Sequence, residues 1–134
     1  MKISTRGTYA MRIMADIATH EGQGNVAVQE LATRQNISLK YLEQIMQLLK
    51  DASLVTSQRG VSGGYKLSRD SKAITIGDIL AATEGKLQTV SCIDGKCDMA
   101  SSCLTINVWE KLDKIVNDYL NTTTLYDVVN NNIK

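Results

Sequence analysis

The three cysteines are the residues with the most distinctive chemistry, because all of them fall within twelve positions, as Cys92, Cys97 and Cys103. Residues 91–103 are otherwise polar, which predicts a loop that can wrap its sulfurs around a metal centre. An odd number of cysteines behind an N-terminus without an apolar stretch favours reduced thiols in the cytoplasm over a disulfide framework. Three thiolates suit zinc or iron, and the spacing without an obvious fourth strong ligand favours iron.

The sequence offers several candidates for the fourth ligand of such a centre. Asp94, Asp98 and Asn107 offer oxygen atoms nearby, and a residue of a partner subunit or a small thiol is a further option. The single histidine, His20, ends the first predicted helix and is interpreted as a solvent-facing residue. A weak fourth ligand would make the centre labile, which suits a sensor better than an electron carrier.

Other chemistries are disfavoured by the same residues. A thiol redox enzyme needs a C-x-x-C pair or a cysteine beside a positioned histidine, and neither occurs, so we expect the chain not to be an enzyme. Gly63 and Gly64 are not followed by the Lys-Ser/Thr of a phosphate-binding loop, which excludes a nucleotide site of that kind. A regulator whose cysteines sense oxidants directly, without a metal, stays an alternative.

Composition and charge indicate one domain whose two halves carry net charges of opposite sign. The chain has 134 residues, of which 43% are apolar, enough for a single core with a helical extension. No apolar run reaches the length of a membrane span, so we expect no membrane partner. The net charge is only +1, yet residues 1–75 carry ten basic against six acidic side chains and residues 76–134 five against eight. The first half is therefore the better candidate to meet a polyanion.

A helix-turn-helix is predicted in that basic half. Helical periodicity indicates helices over three ranges, 8–19, 28–35 and 39–51. Ser38 is a suitable N-cap for the third helix. The face of this helix expected to point into the core consists of Leu39, Leu42, Ile45, Met46 and Leu49. Lys40, Gln44 and Gln47 form a different stripe, and such side chains can pair with base edges or phosphate.

A β-hairpin over residues 54–68 follows directly and predicts a wing. Side chains alternate on both sides of a glycine-rich tip, and Arg59 stands at that tip. A wing beside a helix-turn-helix lies along the sugar–phosphate backbone, where an arginine suits the negative potential of a narrow minor groove. The expected fold class is mostly α with a small β-hairpin, a winged helix-turn-helix that carries a long C-terminal helix.

The acidic half predicts two further capped helices and one long helix. Thr75 caps a helix over 76–84 that Gly85 ends, and Thr124 caps a short last helix over 125–130. The helix between them, over 104–120, has a near-heptad apolar seam of Leu104, Val108, Leu112, Ile115 and Tyr119. A domain this small cannot easily cover such a stripe, so we expect it to form a homodimer. The chain is thus divided into 1–85 for DNA binding, 86–103 for the cysteine loop and 104–134 for dimerisation.

Four segments in this order resemble the IscR family of winged-helix regulators: 4–10, 38–44, 59–65 and 103–105. The resemblance spans nearly the whole chain. It implies a homodimer with crossed long helices, an operator of two half-sites in double-stranded DNA, and an iron–sulfur cluster. Its DNA contacts would fall on Ser38, Lys40, Tyr41, Glu43 and Gln44 of the recognition helix and on Ser57 and Arg59 of the wing. Its cluster ligands would be Cys92, Cys97 and Cys103.

The chain departs from that family in its ligand set. The IscR branch is similar but spaces its cysteines C-x5-C-x5-C and has a histidine where this chain has Ile106. The C-x4-C-x5-C spacing resembles the nitric-oxide-sensing NsrR branch, whose acidic fourth ligand corresponds to Thr8 here. The CymR-like branch of cysteine metabolism lacks these cysteines. The resemblance implies a regulator, most simply a repressor, with a 2Fe–2S cluster favoured over 4Fe–4S. An NsrR-like nitric oxide sensor stays an alternative.

Overall fold

The computed structural model describes residues 2–94, 98–99 and 101–134. Cys97, one of the three predicted ligands, lies outside the described residues, and so does the side chain of Asp94. The described chain is mainly helical with one antiparallel hairpin, as expected. Its elements in chain order are α1 (Thr5–Thr19), α2 (Val28–Gln35), α3 (Leu39–Asp51), β1 (Val55–Gln58), β2 (Gly64–Leu67), α4 (Ile76–Glu84), α5 (Ile106–Thr122) and α6 (Leu125–Val129).

Side-chain caps decide where several helices begin. The Ser4 hydroxyl accepts a hydrogen bond from the Gly7 N–H at 3.1 Å, so α1 starts at Thr5 rather than at the predicted residue 8. Ser38 caps α3 in the same way, as expected. Thr75 and Thr124 each form a complete capping box with the acid three residues later.

The core forms where α1, α2 and α3 cross. Leu42, Ile45, Met46 and Leu49 of α3 are all fully buried, which confirms four of the five residues predicted for its inner face. Leu39 is the exception, with 41% of its surface exposed. It is the first residue of α3, so it continues the 3.6-residue period at a helix end that its neighbours leave partly exposed.

The hairpin pairs β1 with β2 in antiparallel register, from Val55 opposite Leu67 to Gln58 opposite Gly64. Val55 is buried, whereas the rest of β1 is exposed. The connection from α3 is tight: Ser53 takes a left-handed conformation with φ 60°, and the Leu54 N–H donates to the Leu49 carbonyl at 3.0 Å. The hairpin therefore starts at the end of α3 without a flexible linker.

The long helix differs from its predicted bounds, because α5 runs over Ile106–Thr122 instead of 104–120. Leu104 consequently precedes the helix. Near its end α5 approaches α4 so closely that a Cβ at Gly77 would clash with the Asn121 side chain.

α6 ends at Val129, one residue earlier than predicted, and the Leu125 N–H donates to the Ile74 carbonyl at 2.8 Å. In the part of the chain that the structure describes, no helix combines the length and apolar character needed to cross a membrane.

A buried carboxylate joins α1 to α2. The Asp16 side chain is 4% exposed and receives two hydrogen bonds from the Arg34 guanidinium, at 3.0 and 2.8 Å. Gln35 donates a third at 2.7 Å. Burial raises the pKa of the Asp16 carboxyl, but the hydrogen bonds from Arg34 and Gln35 and the charge of Arg34 outweigh it, so the pKa lies below its ordinary value. The ionised form is therefore the one that holds the two helices together.

We expect Asp16→Asn to lower the free energy of unfolding at pH 7 by about 1–3 kcal/mol, because a charge-assisted pair is replaced by a weaker amide contact. A carboxyl whose pKa is lowered by folding contributes stability above its unfolded pKa, and loses that contribution as the pH falls through the folded value. The difference between wild type and variant should therefore shrink below roughly pH 4. Urea unfolding at pH 7 and pH 3 measures both quantities.

Glu30→Gln is the matched control, because Glu30 contacts the same arginine at 3.5 Å but is 63% exposed. Its effect should stay within about 0.5 kcal/mol. An equal loss in both variants would contradict the assignment of Asp16 as the stabilising charge.

Candidate nucleic-acid interface and metal-binding segment

The outer face of α3 presents most of the side chains predicted to contact DNA. Ser38, Lys40, Glu43 and Gln44 are all exposed, opposite the buried apolar face. The Ser38 hydroxyl also accepts the Tyr41 N–H at 3.2 Å, which anchors the first turn. Because the rotation of α3 is set by its buried face, these side chains are presented outward as a group. Such a helix can place amide and ammonium groups against base edges in a major groove.

Gln47 differs from its neighbours on the predicted stripe. Its amide donates to the Asp51 carboxylate at 2.8 Å, one turn later in the same helix. The side chain is thus directed along the helix towards its C-terminal end. Lys40 and Gln44 are the members of the stripe near the end where Ser38 caps the helix.

Tyr41 is half-buried and held by aromatic contacts with α1. Its ring meets the Tyr9 ring edge-on, with the centroids 5.7 Å apart and the planes at 81°. The Arg12 guanidinium lies 5.0 Å from the centre of the Tyr9 ring. This stack orients the Tyr41 side chain before any ligand is present, and sequence periodicity carries no signal for it because the contact crosses between helices.

The wing presents Ser57 and Arg59 as exposed side chains. Arg59 follows the last residue of β1 and precedes a turn over residues 60–63, in which the Gly63 N–H donates to the Gly60 carbonyl at 3.0 Å. Gly60 has φ 106°, a conformation that favours glycine. Arg59 therefore stands beside the tip, as predicted, where its guanidinium can reach a phosphate or a minor groove.

The cysteine segment follows α4 and leads into α5. Cys92 lies in a short 3₁₀ turn over Ser91–Asp94, and Cys103 lies three residues before α5; both side chains are half-buried. Within residues 2–94, 98–99 and 101–134, no three His, Cys, Asp or Glu side chains are grouped closely enough to hold a metal ion. Those residues include Cys92 and Cys103 but not Cys97, so the arrangement of all three predicted sulfur ligands lies outside them.

Cys103 is placed in an environment that favours its thiolate. The Thr105 hydroxyl lies 3.0 Å from the sulfur, and the backbone N–H groups of Thr105 and Ile106 also face it. These hydrogen bonds lower the pKa of the Cys103 thiol, with the Thr105 hydroxyl as the largest cause. A thiolate is the form that binds metals, so the chemistry of this donor fits the predicted centre.

His20, one of the residues considered as a fourth ligand, lies at the C-terminal end of α1. The His20 ring nitrogen lies 2.9 Å from the Asp16 carbonyl at the C-terminal end of α1. The other end of that 15-residue helix, about 22 Å away along its axis, contacts the end of α4 where the cysteine segment begins. His20 therefore lies at the end of α1 opposite to the end that contacts α4. Two other positions correspond to the fourth ligands of the branches that the sequence resembles. Ile106 is the first residue of α5. Thr8 lies in α1, where its hydroxyl donates to the Thr5 carbonyl.

A polar contact that the sequence did not predict connects α1 with α4 beside the cysteine segment. Glu84, the last residue of α4, accepts hydrogen bonds from the Ser4 N–H at 3.2 Å and from the Ser4 hydroxyl. Arg6 donates to the Thr83 carbonyl at 3.0 Å. The partners are about eighty positions apart in sequence, and a lone acid at a helix end carries no pattern that would identify it. The start of the cysteine segment is thereby attached to the helix that packs against α3.

The predicted apolar seam of the long helix is exposed along its whole length. Leu104 is 96% exposed, and the exposed fractions of the other seam residues lie between 41% and 57%. Trp109 and Val116 lie on the half-buried side of α5. The seam is therefore not covered by the described residues of its own chain.

Comparison with known proteins agrees with this architecture. The family model of Rrf2, described as an iron-dependent transcriptional regulator, matches residues 3–131. The chain belongs to the Rrf2 family. It is 38% identical to the HTH-type transcriptional regulator IscR of Vibrio campbellii over 133 residues, which are 98% of this chain and 79% of that protein. It is 39% identical to IscR of Vibrio cholerae, covering 98% of this chain and 77% of that one. As a member of this family, the protein is a DNA-binding transcriptional regulator.

Solved structures of this Rrf2 regulator's relatives share its fold. CymR, the global cysteine regulator of B. subtilis, is 36% identical, with a TM-score of 0.81 and 97% of each chain covered. IscR of T. potens is 37% identical, with a TM-score of 0.79, covering 98% of this chain and 88% of that one. Because CymR and IscR have nearly the same sequence identity and TM-score to this chain, the fold does not distinguish between the branches of the family. The pattern of cysteines is the remaining feature by which we distinguish these branches.

We expect Thr105→Val to raise the pKa of the Cys103 thiol, because the substitution keeps the side-chain shape and removes the hydroxyl that favours the thiolate. The measurement is the pH dependence of iodoacetamide alkylation in metal-free protein, on a Cys92→Ser, Cys97→Ser background that leaves one thiol. Alkylation of the variant should begin at higher pH than alkylation of its parent.

Thr122→Val provides the control for that experiment, since its hydroxyl donates to the Asp118 carbonyl at the far end of α5. Its alkylation profile should match the parent. Superimposable profiles for Thr105→Val and the parent would show that the hydroxyl does not govern the thiol.

Proposed function

We propose that this Rrf2 regulator is a homodimeric repressor whose operator affinity depends on an iron–sulfur cluster bound by Cys92, Cys97 and Cys103. The observation that carries the proposal is the place of the cysteines: they lie between α4, which is attached to the DNA-binding helices, and α5, which carries the exposed apolar seam. The domain division that follows is 1–85 for DNA binding, 86–103 for the cluster and 104–134 for dimerisation.

The DNA contacts are divided between reading and positioning. Gln44 and Lys40 would read base edges in the major groove, because an amide pairs with adenine and an ammonium with guanine. Glu43 could accept a hydrogen bond from the amino group of cytosine. Ser38, Tyr41, Ser57 and Arg59 would contact the sugar–phosphate backbone and set the register. The exposure of Ser38, Ser57 and Arg59 and the half-buried position of Tyr41 support this division.

The cysteine segment supports a cluster through the chemistry of its donors. Three sulfurs in one polar segment can approach a common centre, and the lowered pKa of Cys103 favours the thiolate that such a centre needs. A bound cluster would supply a redox-sensitive and exchangeable inorganic centre. We favour the 2Fe–2S form, with a fourth ligand from outside the three cysteines.

A second copy of the chain is the partner proposed for the seam. Leu104, Val108, Leu112, Ile115 and Tyr119 are exposed together, and their spacing is the near-heptad pattern by which two helices pack. Two copies joined through α5 would present two recognition helices to half-sites about 34–36 Å apart. The seam begins one residue after Cys103, so a change in the conformation of that segment acts directly on the dimer helix.

A metal-free thiol sensor is the second candidate, and one observation favours it. Cys103 has a lowered pKa and is half-buried rather than enclosed, which is the environment of a reactive thiolate. In that case oxidation of the sulfur, and not loss of a cluster, would alter the segment before α5.

We expect cluster-loaded protein to bind its operator about 5- to 150-fold more tightly than cluster-free protein, which is the usual range of coupling between two sites. The probe is a duplex selected from a random-sequence library by protein purified without oxygen, and affinity is measured at one fixed salt concentration. Iron and sulfide analysis and the visible absorbance report the cluster. Cys92→Ser should lose both the absorbance and the coupling.

Ser102→Ala serves as the control in the same segment, because its side chain is exposed and carries no thiol. It should keep the absorbance and the affinity of the wild type. If the wild-type protein is colourless, contains no iron and changes its operator affinity on thiol oxidation, the cluster proposal is wrong and the metal-free thiol sensor takes its place. Equal affinities with and without the cluster would leave only the DNA-binding function.

We expect Leu112→Glu to dissociate the dimer, raising its dissociation constant by roughly 100-fold or more, because a carboxylate would be buried without a partner. Sedimentation equilibrium measures the association, and operator affinity should fall in parallel. Lys111→Glu introduces the same side chain at the neighbouring exposed position outside the seam and should leave the dimer intact. A Leu112→Glu protein that remained dimeric would exclude this face as the interface.

A further inference from the structure

The wing is attached to the loop that precedes α2 by backbone pairing. Val26 and Tyr65 form a β-bridge in which each N–H donates to the other's carbonyl, at 2.7 and 2.9 Å. Gly64, with φ 138°, allows this approach, since a Cβ there would clash with the Val26 carbonyl. This bridge holds the returning strand of the hairpin at Tyr65, two residues after the turn over residues 60–63.

A second attachment, made by the Asn25 side chain, holds the tip itself. The Asn25 amide nitrogen donates to the Ser62 carbonyl at 3.0 Å and to the Gln58 side-chain oxygen at 2.9 Å. Ser62 belongs to the turn over residues 60–63, and Gln58 is the last residue of β1. Both partners are acceptors, so the two N–H groups of one amide satisfy both. One side-chain nitrogen of the loop between α1 and α2 thereby contacts the tip on both sides of Arg59, at the Gln58 side chain and at the Ser62 backbone.

Arg59 lies between the two positions that Asn25 holds. It follows Gln58 directly and stands three residues before Ser62. A hairpin of two four-residue strands is marginally stable by itself, so its tip would sample many orientations without an external anchor. Holding the tip in advance reduces the conformational entropy lost when a side chain beside it binds a ligand.

We infer that Asn25 is a positioning residue for DNA binding: it locks the wing tip so that Arg59 meets the minor groove of a duplex in one orientation. This inference rests on the proposed role of the wing in operator binding. Asn25 touches the wing and not the DNA, and it acts through Arg59. Its contribution should therefore appear in operator affinity, and disappear when Arg59 is removed.

The test is a double-mutant cycle of Asn25→Ala and Arg59→Ala in the whole, cluster-loaded chain, with the selected duplex as probe. Asn25→Ala should weaken binding about 5- to 10-fold, the equivalent of one or two hydrogen bonds. On the Arg59→Ala background the same change should cost less than about twofold, since the group it positions is gone. The dependence of affinity on salt should become shallower in both single variants. The melting temperature should stay close to that of the wild type.

Asn25→Asp and Gln23→Ala are the matched variants. The aspartate keeps the shape but sets oxygen against the two acceptors, so it should weaken binding at least as much as alanine. Gln23 is an exposed amide of the same loop, and its removal should leave affinity unchanged. Unaltered binding by Asn25→Ala, or losses from Asn25→Ala and Arg59→Ala that simply add, would overturn the inference.

Gln44→Ala separates this inference from the proposed function. If Gln44→Ala weakens binding while Asn25→Ala does not, the recognition helix reads DNA and only the role of Asn25 is wrong. If Gln44→Ala and Arg59→Ala both bind as the wild type does, the proposed DNA interface is wrong, and the inference about Asn25 falls with it.

Discussion

The burial of one face of α3 is the constraint on which the rest of this regulator depends. Leu42, Ile45, Met46 and Leu49 are fully buried against the helices that cross α3, so the helix cannot rotate about its axis without exposing them. The polar side chains of the other face are directed outward as a consequence. The Asp16–Arg34 pair then fixes α2 against α1, which completes the rigid support of α3.

The cysteine segment connects α4, which contacts α1, to the long helix α5. Glu84, at the end of α4, contacts Ser4 at the start of α1, and Cys103 lies just before α5. In the function proposed above, a change in the conformation of residues 86–103 would act on α1 through α4 on one side and on the exposed seam on the other. A sensor placed in this segment needs no additional domain to influence DNA binding.

Hydrophobic periodicity and capping residues were sufficient to predict most of the elements. α2, α3 and α4 have the predicted bounds, because their apolar stripes, and for α3 and α4 also their N-caps, are local signals. Leu39 was misplaced because periodicity describes a helix face and contains no information about which part of that face the neighbouring elements cover. The start of α5 differed for a related reason: an apolar seam can extend into residues that precede the helix, as it does at Leu104.

What the sequence determined by itself was the order of elements, the clustering of the thiols and the polar stripe of α3, since each depends on residue types at short spacing. Only the tertiary structure decided which groups meet across long separations. The contacts of Asn25 with Ser62, of Glu84 with Ser4 and of Tyr9 with Tyr41 join residues between 32 and 80 positions apart. Such contacts are made by single side chains whose partners depend on how the helices pack, and no local pattern encodes that packing.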